Sequence, residues 1–187
     1  KKMAESVKQP LSYSRVTKIL SSVGGKITIP TTSSYIEYCE DAWLLLRLHN
    51  INAAFAERET NSKYYFIDNG LLSLLLTDPT TTLLENIVAV SLFRKYGNSN
   101  DGERVFFYKQ NVEVDFYIPD DELAIQVSYS IEESGMTEKR EVEALKKLPK
   151  ALSCKRRLII TYDEEKTIED EYGVIEVIPC WKWLISR

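Results

Sequence analysis

Hydrophobic and polar positions alternate with period two along two neighbouring runs in the middle of the chain. Val112, Val114 and Phe116 alternate with Glu113, Asp115 and Tyr117, and Leu123, Ile125, Val127 and Tyr129 alternate with Ala124, Gln126 and Ser128. That period is the signature of a half-buried strand. Between the runs, Pro119-Asp120-Asp121 carries turn chemistry, because proline presets φ and aspartate tolerates the bend. The pattern predicts adjacent antiparallel strands over 105–117 and 123–129. With the two faces in register, Asp115 lies near Gln126 and Ser128 on one polar surface, and Glu113 shares the face of Asp115.

Upstream, Val16, Ile19, Leu20 and Val23 form a helical stripe over 12–23, with Ser12 or Ser14 as cap and Gly24-Gly25 as its end. Residues 27–29 read as an extended link. A second helix, capped by Thr31, Thr32 or Ser33, runs through Tyr35, Ile36, Tyr38, Cys39 and Ala42. Strands are predicted over 43–48 and 63–68, with a polar loop over 53–62. Two helices followed by a strand pair around a tip make a winged-helix pattern. Asp68-Asn69-Gly70 then marks a turn. Beyond it come a strong helix over 82–96, a loop over 97–102, the hairpin, and a charged amphipathic helix over 137–148 with Val142, Leu145 and Leu148 inward. Apolar strands over 157–161 and 174–178 and a terminal helix over 181–184 complete the chain. The order predicts an α/β fold with a mixed sheet flanked by helices. Two units are expected: a small winged-helix-like region over 1–70 and the α/β domain over 71–187.

Composition narrows the functional classes. The chain has 187 residues, 44% hydrophobic and 28% charged, ordinary for a folded domain with a sizeable core. No apolar run approaches the roughly 20 residues needed to cross a membrane. Cys39, Cys154 and Cys180 are odd in number and widely spaced, so free thiols in a reducing cytoplasm are expected rather than a zinc site or a disulfide framework. His49 stands alone, without a second histidine or a nearby nucleophile, and reads as incidental. Gly24-Gly25-Lys26 fails as a phosphate loop, because Leu20 and Ile27 occupy positions that need Gly and Ser or Thr. The net charge of −4 divides into +2 over residues 1–70 and −6 over 71–187. Only the first third could supply a basic face for DNA. Its candidate contacts are Arg15, Lys18, Lys26, Thr31, Ser34 and Tyr35, with 31–38 as the recognition helix. Glu37, Glu40 and Asp41 would repel phosphates there, so the competing expectation is a packing adaptor.

Three short stretches carry a resemblance: Lys63-Tyr64-Tyr65-Phe66-Ile67-Asp68-Asn69-Gly70-Leu71, then Leu84-Glu85-Asn86, then Glu113-Val114-Asp115-Phe116. Their order and spacing resemble the DUF4143 region that follows the AAA-type ATPase domain in a group of prokaryotic ATP-binding proteins. An acidic residue on one strand and (Asp/Glu/Gln)-x-Lys on the next also resemble the core of the PD-(D/E)xK nuclease-like fold. The resemblance implies a nuclease-like sheet after a winged-helix-like region, with an upstream ATPase domain of the same protein as partner and holder of ATP. It further implies that Glu85 points into the site of Asp115.

Metal-assisted phosphodiester hydrolysis needs carboxylates to hold Mg²⁺ and a basic group beside the reacting water. Asp115 and Glu85 would be the metal ligands of an active site. Gln126 offers only a neutral carbonyl oxygen, and Ser128 stands where the resembling fold carries lysine. Lys109 is a candidate to take that role. No catalytic residue is therefore assigned: Glu85, Asp115, Gln126 and Ser128 are vestigial candidates, forming a nuclease site, a structural polar cluster or a binding surface. The expected function is a non-catalytic C-terminal accessory region of an AAA-type ATPase, binding a partner protein or DNA, without a cofactor of its own. The alternative is a metal-dependent DNA nuclease using Mg²⁺.

Overall fold

The computed structural model describes residues 1, 3–97, 103–131 and 136–186. Among them, nine strands form one mixed sheet in the order β1-β3-β2-β4-β5-β6-β7-β9-β8. The strands are β1 (Leu11–Ser12), β2 (Leu45–Asn50), β3 (Asn61–Phe66), β4 (Phe106–Lys109), β5 (Glu113–Ile118), β6 (Leu123–Val127), β7 (Arg156–Thr161), β8 (Lys166–Asp170) and β9 (Gly173–Pro179). The helices are α1 (Tyr13–Gly24), α2 (Ile29–Asp41), α3 (Phe55–Thr60), α4 (Asn69–Leu75), α5 (Thr80–Tyr96), α6 (Met136–Lys147) and α7 (Cys180–Ile185). The mixed α/β sheet flanked by helices is the fold class that the pattern predicts. No described helix is long and apolar enough to cross a membrane.

The local signals act largely where the sequence places them. Ser12 caps α1, accepting from Arg15 N. The second helix begins earlier than expected, at Ile29: Thr28 caps it, and Pro30 fits in the first turn, where its missing N–H is unneeded. Asp68 caps α4 through Leu71 N at 2.7 Å. The predicted loop over 53–62 instead contains α3, and β8 lies in a stretch for which the sequence predicts no element. β8 reads Lys-Thr-Ile-Glu-Asp, too polar for an apolar-run signal, and it pairs only with β9 through a tight turn at Gly173, whose φ is +103°.

The predicted strand over 105–117 is two strands. Gln110 N bonds Val112 O at 3.1 Å, and this tight turn folds β4 antiparallel onto β5. The polar Lys109-Gln110-Asn111 sequence breaks the run there. The central motif is thus a three-stranded meander, with β5 and β6 antiparallel as predicted.

The boundary expected near residue 70 is crossed by both sheet and core. β2 runs parallel to β4 at His49↔Phe106 and Asn50↔Phe107, and the Asn50 side chain extends the ladder to both the N–H and the carbonyl of Lys109. One apolar core joins Leu11, Val16, Leu48 and Tyr65 to Val88, Phe116, Ile125 and Ile160. A second core, under α6 on the β5–β6–β7 surface, contains Val114, Ile159, Val142, Leu145 and Leu148.

Asn86 ties α5 to β3. Its side chain donates to Phe66 O at 2.7 Å and accepts from Phe66 N at 2.8 Å, acting as a strand partner where no strand lies. Asn86→Ala is expected to destabilise the fold by about 2–3 kcal/mol, because both backbone groups of Phe66 lose their partner in the interior. Urea unfolding measures this, and an unchanged midpoint would refute the tie.

Candidate functional site

The polar surface predicted on β5 and β6 forms where these two strands part. Their backbones pair through Ile118↔Leu123, Tyr117↔Ala124 and Phe116↔Ile125. Beyond Phe116, side chains replace the ladder. Gln126 Oε1 accepts from Asp115 N at 2.6 Å, and Asp115 Oδ2 accepts from Val127 N at 3.0 Å. Each residue satisfies a backbone donor that the fork would leave unpaired. Gln126 Nε2 also donates to Glu113 O at 3.3 Å and to the Glu141 carboxylate on α6.

Lys63 enters this fork from β3. It shares a strand face with Tyr65, two residues on, and its side chain has no solvent exposure. Lys63 Nζ lies 2.9 Å from Glu113 Oε1, 3.1 Å from Asp115 Oδ1 and 4.0 Å from Glu85 Oε1. The Phe107 ring centroid is 5.3 Å from the same ammonium. Glu85, buried on α5, accepts from Tyr65 Oη at 2.8 Å, and its other oxygen lies 3.4 Å from Lys8 Nζ. Four chain segments therefore converge on one charge cluster.

Burial alone would pull the Lys63 pKa down, but Asp115, Glu85 and Glu113 outweigh it and the net direction is upward. The ammonium is a permanent charge at neutral pH. Burial likewise pushes the Glu85 carboxyl up to about 7, with Asp115 adding to the push and Lys63, Lys8 and the Tyr65 hydrogen bond opposing it. Glu113 moves down, because Lys63 and Lys109 overcome its burial. Burial and Asp115 raise Glu141 against the pull of Arg140.

The cluster floors a cleft of about 840 Å³ whose lining includes Lys8, Glu85, Asp115, Gln126 and Arg140. Six carboxylates and three cations line it, so its field repels phosphate. Of the four vestigial candidates, Glu85, Asp115 and Gln126 belong to this one site. Ser128 stands aside, its hydroxyl donating to Ser130 O at 2.8 Å. Lys109 stays at the rim, half-exposed, 2.7 Å from Glu113. Lys63 occupies the basic role that Ser128 leaves vacant and for which Lys109 is the sequence candidate. A lysine on the inward face of a strand otherwise rich in Tyr and Phe was the available signal, since a buried ammonium demands carboxylates. His49, which read as incidental, is a buried β2 residue bonded through Nδ1 to Glu103.

The donor set does not fit Mg²⁺. No three carboxylate, histidine or cysteine ligands among the described residues are placed to hold a metal ion. Asp115 is divided between Lys63 and Val127 N, and Glu85 between Tyr65 and Lys8. Away from the cleft, Arg15, Lys18 and Lys26 are exposed, Tyr35 is half-exposed and Ser34 partly so, while the Thr31 hydroxyl contacts Thr28 Oγ1 at 2.9 Å in the cap of α2.

A domain of unknown function, DUF8612, matches residues 1–82. An uncharacterized protein of Methanocaldococcus jannaschii is 32% identical over 185 residues, covering 94% of this chain and 41% of that protein. An uncharacterized protein of Haemophilus influenzae is 28% identical over 138 residues, covering 71% of this chain and 33% of that protein. The chain thus spans well under half the length of these curated relatives. No solved structure matches. The DUF4143 resemblance is corrected by these findings: the matching family is DUF8612, and the relatives bring no link to an ATPase. The motifs behind that resemblance have local structural work in this fold. Lys63 neutralises the buried carboxylates, Asp68 caps α4 and Asn86 pairs with Phe66. The expected ATPase partner and its ATP rested on that resemblance, and these relatives do not bear on them.

Lys63→Met would leave Asp115 and Glu113 facing each other without their shared cation. It is expected to cost about 3–5 kcal/mol in denaturant unfolding, as when one partner of a buried ion pair is removed. The stability profile against pH provides a second check. Glu85 rises from 4.5 unfolded to about 7 folded, so the folded chain holds more protons between those values. Its contribution is fully present below the unfolded pKa and lost as pH rises through about 7. Glu85→Gln should remove that part of the profile, and an identical slope in both proteins would refute the assignment.

Proposed function

We propose that this chain is a non-catalytic binding region of a longer protein, acting through its surfaces on a partner protein or DNA. The observation that carries this reading is the Lys63 ammonium held among Asp115, Glu113 and Glu85. A cation built into the chain neutralises the carboxylates that would otherwise recruit Mg²⁺, which favours a structural role for the cluster. The greater length of the relatives is consistent with a part working in a larger whole. Cys39, Cys154 and Cys180 form no disulfide among the described residues, which suits the reducing cytoplasm.

A nuclease is the second reading, and Lys63 is also what favours it. The basic group missing at Ser128 is supplied from β3, buried behind Asp115 and Glu85, which line the cleft. Against it stand Gln126 in place of a carboxylate and the acidic lining, which opposes an incoming phosphodiester.

The two readings separate in a nicking assay on supercoiled DNA with Mg²⁺ or Mn²⁺. No cleavage is expected, since each electrostatic contact missing from such a site costs roughly 10²–10³ in rate. Robust cleavage abolished by Asp115→Ala would overturn the non-catalytic reading. Where duplex DNA is the bound partner, affinity should fall steeply with salt and drop on charge reversal at Arg15, Lys18 or Lys26. Affinity indifferent to both would leave a protein as the partner.

A further inference from the structure

The two helices that precede β2 divide their charges completely. α1 contains Arg15 and Lys18 and no acid, whereas α2 contains Glu37, Glu40 and Asp41 and no base. The helices lie side by side, joined by a hydrogen bond from Thr17 to Thr32 Oγ1 at 2.8 Å. Each buries one face, Tyr13 and Val16 on α1 and Thr32 and Ile36 on α2. Glu40 is turned inward, where both its oxygens meet Arg47. The others are displayed: Arg15 and Lys18 sit one turn apart on the outer face of α1, and Glu37 and Asp41 on that of α2. Among the described residues none of these four enters an ion pair, and Glu37 accepts from the Ser33 hydroxyl at 2.9 Å.

Apolar surface accompanies the charges. Tyr35 is 50% exposed, Tyr38 65% and, just past the end of α2, Trp43 70%. Such aromatics supply large contact area when a partner covers them. A basic helix face beside an acidic, aromatic one is self-complementary under a twofold rotation. The operation sets α1 of one copy against α2 of the other and repeats the same contact in reverse, as an isologous interface requires.

We propose that the α1–α2 face docks a second copy of this chain, with Arg15 and Lys18 of each copy meeting Glu37 and Asp41 of its partner beside Tyr38. The two displayed bases on α1 match the two displayed acids on α2 and make a like copy the fitting occupant, whereas a polyanion would meet Glu37 and Asp41 unneutralised. The surface lies outside the Lys63 cluster and does not depend on what the cleft does.

Sedimentation equilibrium over a protein concentration series tests this on the full chain. The wild type should dimerise, and added salt should weaken the dimer. Two doubly substituted chains, Arg15→Glu with Lys18→Glu and Glu37→Lys with Asp41→Lys, should each lose about tenfold or more in self-association through like-charge contact. Mixed in equal amounts, they should associate with each other at least as well as the wild type does with itself. All four positions are exposed, and circular dichroism confirms that each variant remains folded. A wild type monomeric up to roughly 1 mM, the weak end of specific association, would overturn the proposal. So would folded variants that fail to recover association on mixing.

Discussion

A fully buried ammonium is the constraint on which this architecture turns. Removing the Lys63 side chain from water is tolerable only where carboxylates meet it, and no single segment supplies them. Glu113 and Asp115 come from β5 and Glu85 from α5, so β3 must lie within reach of both. That requirement accompanies the sheet that runs from β3 through β2 and β4 to β5. The region that matches DUF8612 ends at residue 82, short of all three carboxylates. Within residues 1–82 Lys63 has none of these partners, so folding of that region is coupled to the residues that follow it.

The cluster also explains the electrostatic character of the cleft. One ammonium is shared among three carboxylates at unequal distances, and the farthest, Glu85, is the most deeply buried of them. Burial and the neighbouring Asp115 push Glu85 up, while Glu113, nearest to Lys63 and also bridged by Lys109, moves down. A group of similar composition can be a catalytic centre or a keystone. Here Asp115 Oδ2 and Gln126 Oε1 each accept from a backbone N–H of the parting strand pair, so both side chains contribute to the sheet itself.

Strand periodicity made the centre of this fold legible. Alternation over 112–117 and 123–129 located β5, β6 and the juxtaposition of Asp115 with Gln126, because one buried face on each strand leaves little freedom of register. The cap at Asp68 was equally readable. What escaped were features set by pairing at a distance. The turn at residues 110–112 has no glycine or proline to announce it, β8 is polar because it is an edge, and the parallel β2–β4 contact joins segments more than fifty residues apart. Lys63 escaped for the same reason: its place on a strand rich in Tyr and Phe hints at burial, but only the tertiary fold brings Glu85, Glu113 and Asp115 to it. Resemblance misled where short motifs were taken as evidence of descent, although each motif is accounted for by a cap, a bridge or an ion pair.

The surface charges impose a choice of their own. Arg15 and Lys18 would serve a phosphate backbone and a second copy equally well, since both offer anionic groups at helix-face spacing. They cannot serve both at once, so binding to DNA and self-association through this face would be mutually exclusive. Glu37 and Asp41 tilt that competition. In a dimer they are neutralised by the partner's cations, whereas beside DNA they remain as uncompensated repulsion within a Debye length of about 8 Å. The acids on α2 are therefore the residues that distinguish the two occupants, and the bases on α1, for which a DNA contact is the first thought, do not discriminate between them.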